Sequence, residues 1–184
     1  MNESRRDFIR KSSAFGLSSF LPYNKNFFRI NRKIRTAHIG VGGMGLNDLK
    51  AISSHKNVEV TALCDVDSKL LNQALKLFPK AKVFRDYRVL LNNLDKEIDA
   101  VVISTPDHTH GPASIMAMKK GKAIYCQKPL TNNVFEAREM SKISFEKKLV
   151  TQMGIQVHSF YDYKLAKLLI QDGIVGKIHT VRAW

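Results

Sequence analysis

Residues 125–130 read YCQKPL, setting Lys128 and then Pro129 at the end of an apolar run of the kind that forms a buried strand. A lysine at such a place is either a solvated loop cation or a group that holds and passes a proton. Which of the two it is depends on what the other strands bring to the same edge.

Earlier in the chain, RTAHIGVGGMG carries Gly40-x-Gly42-x-x-Gly45, with Gly43 and Met44 completing the turn. Gly40 permits a tight turn, Gly42 lets the backbone approach a pyrophosphate, and Gly45 allows a helix to pack closely on the strand before it. The amino end of that helix offers N–H groups and a positive dipole end to phosphate. The following strand, VEVTALCD, ends in Asp65, twenty residues after Gly45. An acid at this distance accepts hydrogen bonds from both hydroxyls of an adenosine ribose. Its charge repels a 2′-phosphate and no arginine follows it in VDSK, so NAD is expected in preference to NADP. The stretch STPDHTH adds Asp107, His108 and His110 at a spacing a metal could use. Because no further ligand cluster accompanies them, no metal is expected.

The elements that must position these residues are legible from periodicity. Strands are predicted at Ile34–Gly40, Val58–Cys64, Ala100–Ser104, Lys122–Cys126 and Leu149–Met153, with a short one at Lys82–Phe84. Between them lie helical spacings: Leu46, Leu49 and Ile52; Leu70, Leu71, Ala74, Leu75 and Phe78; Val134, Ala137, Met140 and Ile143. Pro112 is read near a helix start, Gly121 just past its end, and Asn133 with Glu136 as a capping box. Near-continuous apolar strands alternating with helices predict an α/β fold, a doubly wound parallel sheet of the Rossmann dinucleotide-binding type. In the strand order 3-2-1-4-5-6, Cys64 and Cys126 stand about 14 Å apart at ~4.8 Å per strand. A disulfide needs Cα atoms within about 7 Å, so both thiols are expected free.

The organisation predicted is a leader over 1–32, a nucleotide-binding domain over 33–155, and over 156–184 the start of an α+β substrate and oligomerisation domain. In that last piece Tyr161, Leu165, Leu168 and Leu169 mark an amphipathic helix ending at Gly173, and GKIHTVRAW reads as the start of a strand. A strand left without a partner exposes an edge, so the chain is expected to be part of a longer product.

The net charge of +14 on 184 residues does not make this a nucleic-acid protein. Half of the excess lies in residues 1–35, where Arg5, Arg6, Arg10, Lys11, Lys25, Arg29, Arg32, Lys33 and Arg35 face only Glu3 and Asp7. The rest is scattered, with no basic stripe interleaved with aromatics. SRRDFIRKSS followed by AFGLSSFL resembles a twin-arginine export signal, which makes the export machinery a partner and the periplasm a destination, with the cytoplasm as the alternative. Its apolar core is too short to span a bilayer, which takes about 20 apolar residues.

GVGGMG, CDVD, DAVVISTPDHTH, GKAIYCQKPLT and TQMG occur in the order and approximate spacing of the amino-terminal domain of the glucose-fructose oxidoreductase/inositol dehydrogenase family (Gfo/Idh/MocA), over residues 33–184. The resemblance implies an NAD(P)-dependent oxidoreductase acting on a sugar, polyol or glycoside, and a homo-oligomer built through a further domain. It implies that Thr105, Pro106, His108 and His110 line the cofactor, that Gln127 and Gln156 lie near the nicotinamide, and that Lys128 reaches the reacting hydroxyl as catalytic residue. The motif of the family at this point is Glu-Lys-Pro. Here Gln127 stands in place of the glutamate, keeping hydrogen-bonding capacity but dropping a negative charge beside the lysine. Pro129 restrains the peptide before it, and a cis Lys128–Pro129 bond is expected. Two alternatives accompany the dehydrogenase: a glycosidase that oxidises a sugar transiently with tightly held NAD, and a dinucleotide-binding fragment without catalysis.

Overall fold

In the computed structural model, residues 33–182 are described. The twin-arginine-like leader lies outside the described residues. Six strands, β1 (Ile34–Ile39), β2 (Val58–Cys64), β3 (Lys82–Phe84), β4 (Ala100–Ile103), β5 (Ala123–Gln127) and β6 (Thr151–Gly154), form one sheet in the order β3-β2-β1-β4-β5-β6. Every neighbouring pair is parallel. Six helices alternate with or follow them: α1 (Met44–Ser53), α2 (Ser68–Leu77), α3 (Tyr87–Asn93), α4 (Asp107–Lys119), α5 (Val134–Lys147) and α6 (Tyr161–Gln171), with a single 3₁₀ turn at Gln156–Ser159. This is the doubly wound Rossmann fold that the alternation predicts.

Both faces of the sheet are covered, because successive strand residues point to opposite sides. On β2, Ala62 and Cys64 join a core with Ala37, Ile39, Val101, Ile103 and the α4 residues Ala113, Ala117 and Met118. Leu63, between them, joins the opposite core with Val41, Leu49, Leu71 and Ala74. Leu49, Leu63, Leu90 and Leu91 are completely buried, each a contribution of about 1.5–3 kcal/mol. Cys64 and Cys126 are buried and free, separated in the sheet by β1 and β4. Burial pushes the Cys64 thiol up to about 12 and the Cys126 thiol up to about 11.

Register places the strand ends level. Cys64 pairs with Ile39, Ile39 with Ile103, and Ile103 with Cys126, while Phe84 pairs with Cys64 and Met153 with Cys126. The residues one step beyond this row, Arg85, Asp65, Gly40, Ser104, Gln127 and Gly154, therefore stand side by side along the carboxyl edge. Ligands of open parallel sheets bind at this edge.

Side-chain caps begin three of the helices. Asp67 accepts from Lys69 N, Asp86 from Arg88 N, and Asn133 from Glu136 N. The reciprocal arm of the expected capping box is displaced by one residue, since the Glu136 carboxylate accepts from Asn132 N.

Three expectations are corrected. Pro112 does not open a helix: α4 begins at Asp107 and carries Pro112 inside it. The start is set by the extended residue Pro106 leaving β4, and the exposed proline ring costs only the N–H bond to the turn before it. Lys122 precedes β5 rather than starting it; it is buried, and its ammonium pairs with Asp95 at 3.0 Å, holding that carboxyl below the usual carboxylate range. Finally, residues 177–182 form no strand. A strand exists only through a ladder with a neighbour, and everything described after Gln156 is exposed. Among the described residues no helix is long and apolar enough to cross a membrane.

Candidate functional site

The glycine turn is built by close approach. Gly40 has φ +83°, and a Cβ there would stand 2.5 Å from the Ser104 carbonyl oxygen. A Cβ on Gly45 would run into the Gly40 carbonyl oxygen, and one on Gly42 into the Leu70 side chain. These contacts fold β1 tightly into α1. No side chain caps α1, in contrast to α2, α3 and α5, and no acid sits in its first turn. An uncapped helix start beside a bare backbone turn suits a phosphate.

From this turn a cleft of about 650 Å³ runs across the sheet edge, lined by Gly40, Gly42, Gly43, Asp65, Thr105, Pro106 and His108 among others. Asp65 is partly exposed, its Oδ2 accepting from Val41 N (2.9 Å) and its Oδ1 from Asp67 N (2.9 Å). The carboxylate is thus aimed before any ligand arrives. Two arginines that the sequence around Asp65 does not announce, Arg85 just past β3 and Arg88 on α3, line the same cleft. Arg88 is paired, gripping Asp86 with Nε and Nη2 (2.9 and 2.7 Å), while Arg85 donates to the neutral Val66 carbonyl (2.9 Å). The Arg88 guanidinium holds the Asp86 carboxyl below its ordinary range. The donor and acceptor set fits NAD.

The other half of the edge carries the lysine. Lys128 follows β5 and is exposed, and the Lys128–Pro129 bond is cis. Its turn is tied from two sides. His110, 1% exposed, has Nε2 at 2.7 Å from the Thr105 carbonyl oxygen and Nδ1 at 2.6 Å from the Pro129 carbonyl oxygen. The expectation that His110 lines the cofactor is therefore corrected: its ring is inside, clasping a cleft residue to the lysine turn. Gln127 is also buried rather than facing a ligand. It accepts from Lys128 N (3.3 Å) and donates to Asp48 Oδ2 (2.8 Å). Gln156 has one carboxamide nitrogen within 3.9 Å of Met44 Sδ and 3.5 Å of both Asp48 and the Tyr125 hydroxyl. Met44 is half exposed at the start of α1.

Asp48 is the residue that sequence reasoning missed. The signal was present: Gly45, Asp48, Leu49 and Ile52 share one helical face, so a carboxylate sits on the stripe that turns toward the sheet.

Residues 34–155 match the family described as "Oxidoreductase family, NAD-binding Rossmann fold", and the chain belongs to that family. It is 39% identical over 132 residues to a glycosyl hydrolase family 109 protein of Stenotrophomonas maltophilia, covering 67% of this chain and 29% of that protein. It is 32% identical over 148 residues to an inositol 2-dehydrogenase of Rhodococcus jostii, covering 79% and 40%. The crystal structure of myo-inositol 2-dehydrogenase from Lactobacillus plantarum superposes with a TM-score of 0.73 at 28% identity, over 80% of this chain and 43% of that one. The chain thus spans less than half the length of these relatives.

Proposed function

We propose that this chain is the nucleotide-binding part of an oxidoreductase that moves hydride between NAD and a hydroxyl-bearing carbon of a sugar, polyol or glycoside, with Lys128 at the reacting hydroxyl. The observation that carries the proposal is the level carboxyl edge, which sets the phosphate turn at Gly40, the ribose acid Asp65 and the lysine turn in one row. NAD, when bound, supplies the hydride acceptor. Lys128 holds or passes the hydroxyl proton, and the glycine turn with Asp65 orients the cofactor's far end. In the full-length protein, Lys128→Met should cut kcat by about 10²–10⁴ while NADH titration by fluorescence stays at the parent affinity. Unchanged turnover in that variant removes the lysine from the chemistry.

A second reading is favoured by one specific relative, the glycosyl hydrolase family 109 protein at 39% identity. A glycosidase that oxidises its sugar and returns the hydride shows glycoside cleavage with no NADH accumulation. A dehydrogenase accumulates NADH in proportion to product. Binding of NADH with no turnover on any sugar, polyol or glycoside indicates a non-catalytic dinucleotide-binding protein.

Export to the periplasm through the twin-arginine machinery is part of the proposal, supported by Arg5 and Arg6 ahead of Phe8, Ile9 and Lys11. Cell fractionation of the parent and an Arg5→Lys/Arg6→Lys variant tests it, with retention of the variant in the cytoplasm as the expected result. Assembly into a homo-oligomer through a further domain is proposed likewise and is read by the mass of the full-length protein in solution.

A further inference from the structure

Asp48 is 6% exposed, yet it makes no ion pair with a lysine or arginine among the described residues. Its partners are neutral donors: Ser104 Oγ at 2.7 Å and Gln127 Nε2 at 2.8 Å on Oδ2, with Gln156 Nε2 at 3.5 Å from Oδ1. They come from the end of β4, the end of β5 and the 3₁₀ turn after β6. Asp48 itself rides on α1, the helix that begins at the glycine turn. One side chain therefore fastens the phosphate-binding helix to three other segments of the edge.

We propose that Asp48 is a positioning residue for Lys128, acting through Gln127, and that the Asp48–Gln127 pair sets the distance between the glycine turn and the lysine turn. Donor and acceptor chemistry dictates the pairing. A carboxylate accepts only, so whatever meets Asp48 must donate; and Lys128 N–H donates, so the same side chain must also accept. A carboxamide satisfies both, its Nε2 donating to Asp48 and its Oε1 accepting from Lys128. A glutamate at 127 meets Asp48 acceptor to acceptor, two like charges in a buried site. Space is made for the pair: a Cβ on Gly154 would stand 2.7 Å from the Tyr125 hydroxyl and 3.0 Å from the Gln127 carboxamide.

The hold on the turn stands on this geometry; its consequence for turnover rests on the oxidoreductase reading. The test is a charge swap in the intact chain, using Gln127→Glu, Asp48→Asn and the double variant. NADH titration and thermal melting are read on all three. Gln127→Glu is expected to weaken NADH binding about tenfold and lower the melting temperature, from unpaired buried acceptors. The double variant restores one carboxylate and one carboxamide with donor and acceptor exchanged, and is expected to return both quantities close to the parent. Where turnover is measurable, Gln127→Glu should lower kcat more than it raises the KM for NAD, and the swap should recover kcat. A double variant no better than Gln127→Glu, or a Gln127→Glu chain that binds NADH and melts like the parent, overturns the proposal. Because binding and melting need no substrate, absence of sugar oxidation counts against the functional reading and leaves this test standing.

Discussion

Asp65, just past β2, and Asp48, on α1, both serve the carboxyl edge of the sheet and are held in opposite ways. Asp65 accepts from two backbone N–H groups, those of Val41 and Asp67, and keeps part of its surface toward the cleft. Asp48 is buried and meets only side chains, from residues 56, 79 and 108 positions away. The first is a ligand acid aimed by backbone N–H groups, one of them on the glycine turn 24 residues away, and the second an internal clasp made by side chains alone. The adenosine half of the cleft is thus organised by backbone groups and the lysine half by side-chain choice. The lysine half is accordingly where Gln127 replaces the family's glutamate without loss of pairing.

The hardest blow to the backbone-built half is Gly45→Ala, which places a methyl against the Gly40 carbonyl in a region with no slack. NADH binding should disappear and melting should fall steeply. Gly43→Ala separates contact from conformation: φ is +50° and ψ −118°, and nothing lies within 4 Å of the added Cβ, so its cost is backbone strain alone, about 1–3 kcal/mol. Equal losses in the two variants, by melting and NADH titration, break the account of the turn. A smaller effect is expected of Asp65→Ala. Removing a charged acceptor of ribose hydroxyls should weaken NADH binding about 10–100-fold without altering the Lys128 turn. An unaltered NADH affinity erases the contrast between the two aspartates.

The smallest effect reads the charge of Asp48 directly. Burial, and after it the Asp48 carboxylate, raise the Tyr125 phenol above its ordinary value of 10, against a lowering contact from Gln156. Asp48→Asn should bring the Tyr125 titration back down, followed by phenolate absorbance with Tyr125→Phe for subtraction. The linkage has a definite sign: the folded state holds this proton more tightly than the unfolded chain. Stability from Tyr125 is present below pH 10 and lost as pH rises through the folded value. The loss should shrink in Asp48→Asn, and an unmoved titration removes Asp48 as a charge at this site.

Much of this arrangement was legible early. The strand AVVI and the second half of VEVTALC are buried on both faces and apolar, so their existence and parallel order follow from composition and alternation with helices. Gly40, Gly45 and Asp65 were legible because they fall at a fixed spacing, at the turn from a strand into a helix and at the end of the next strand. His110 and Gln127 were placed at the cofactor by resemblance, whereas packing turned both inward. Pro112 suggested a boundary, but the end of β4 had already begun the helix. Residues 177–182 have strand-like composition and no ladder to complete it.

The sheet, the phosphate turn, the ribose acid and the level at which Lys128 emerges could be read from the chain, because they show as the two-residue period of strands, their alternation with helices, and glycines and an acid at fixed spacing. Which side chains meet behind that edge was settled by packing between distant segments. Asp48, Ser104, Gln127 and Gln156 become neighbours when the parallel crossovers bring distant strand ends together, and a contact between polar side chains so far apart in the chain leaves no periodic trace.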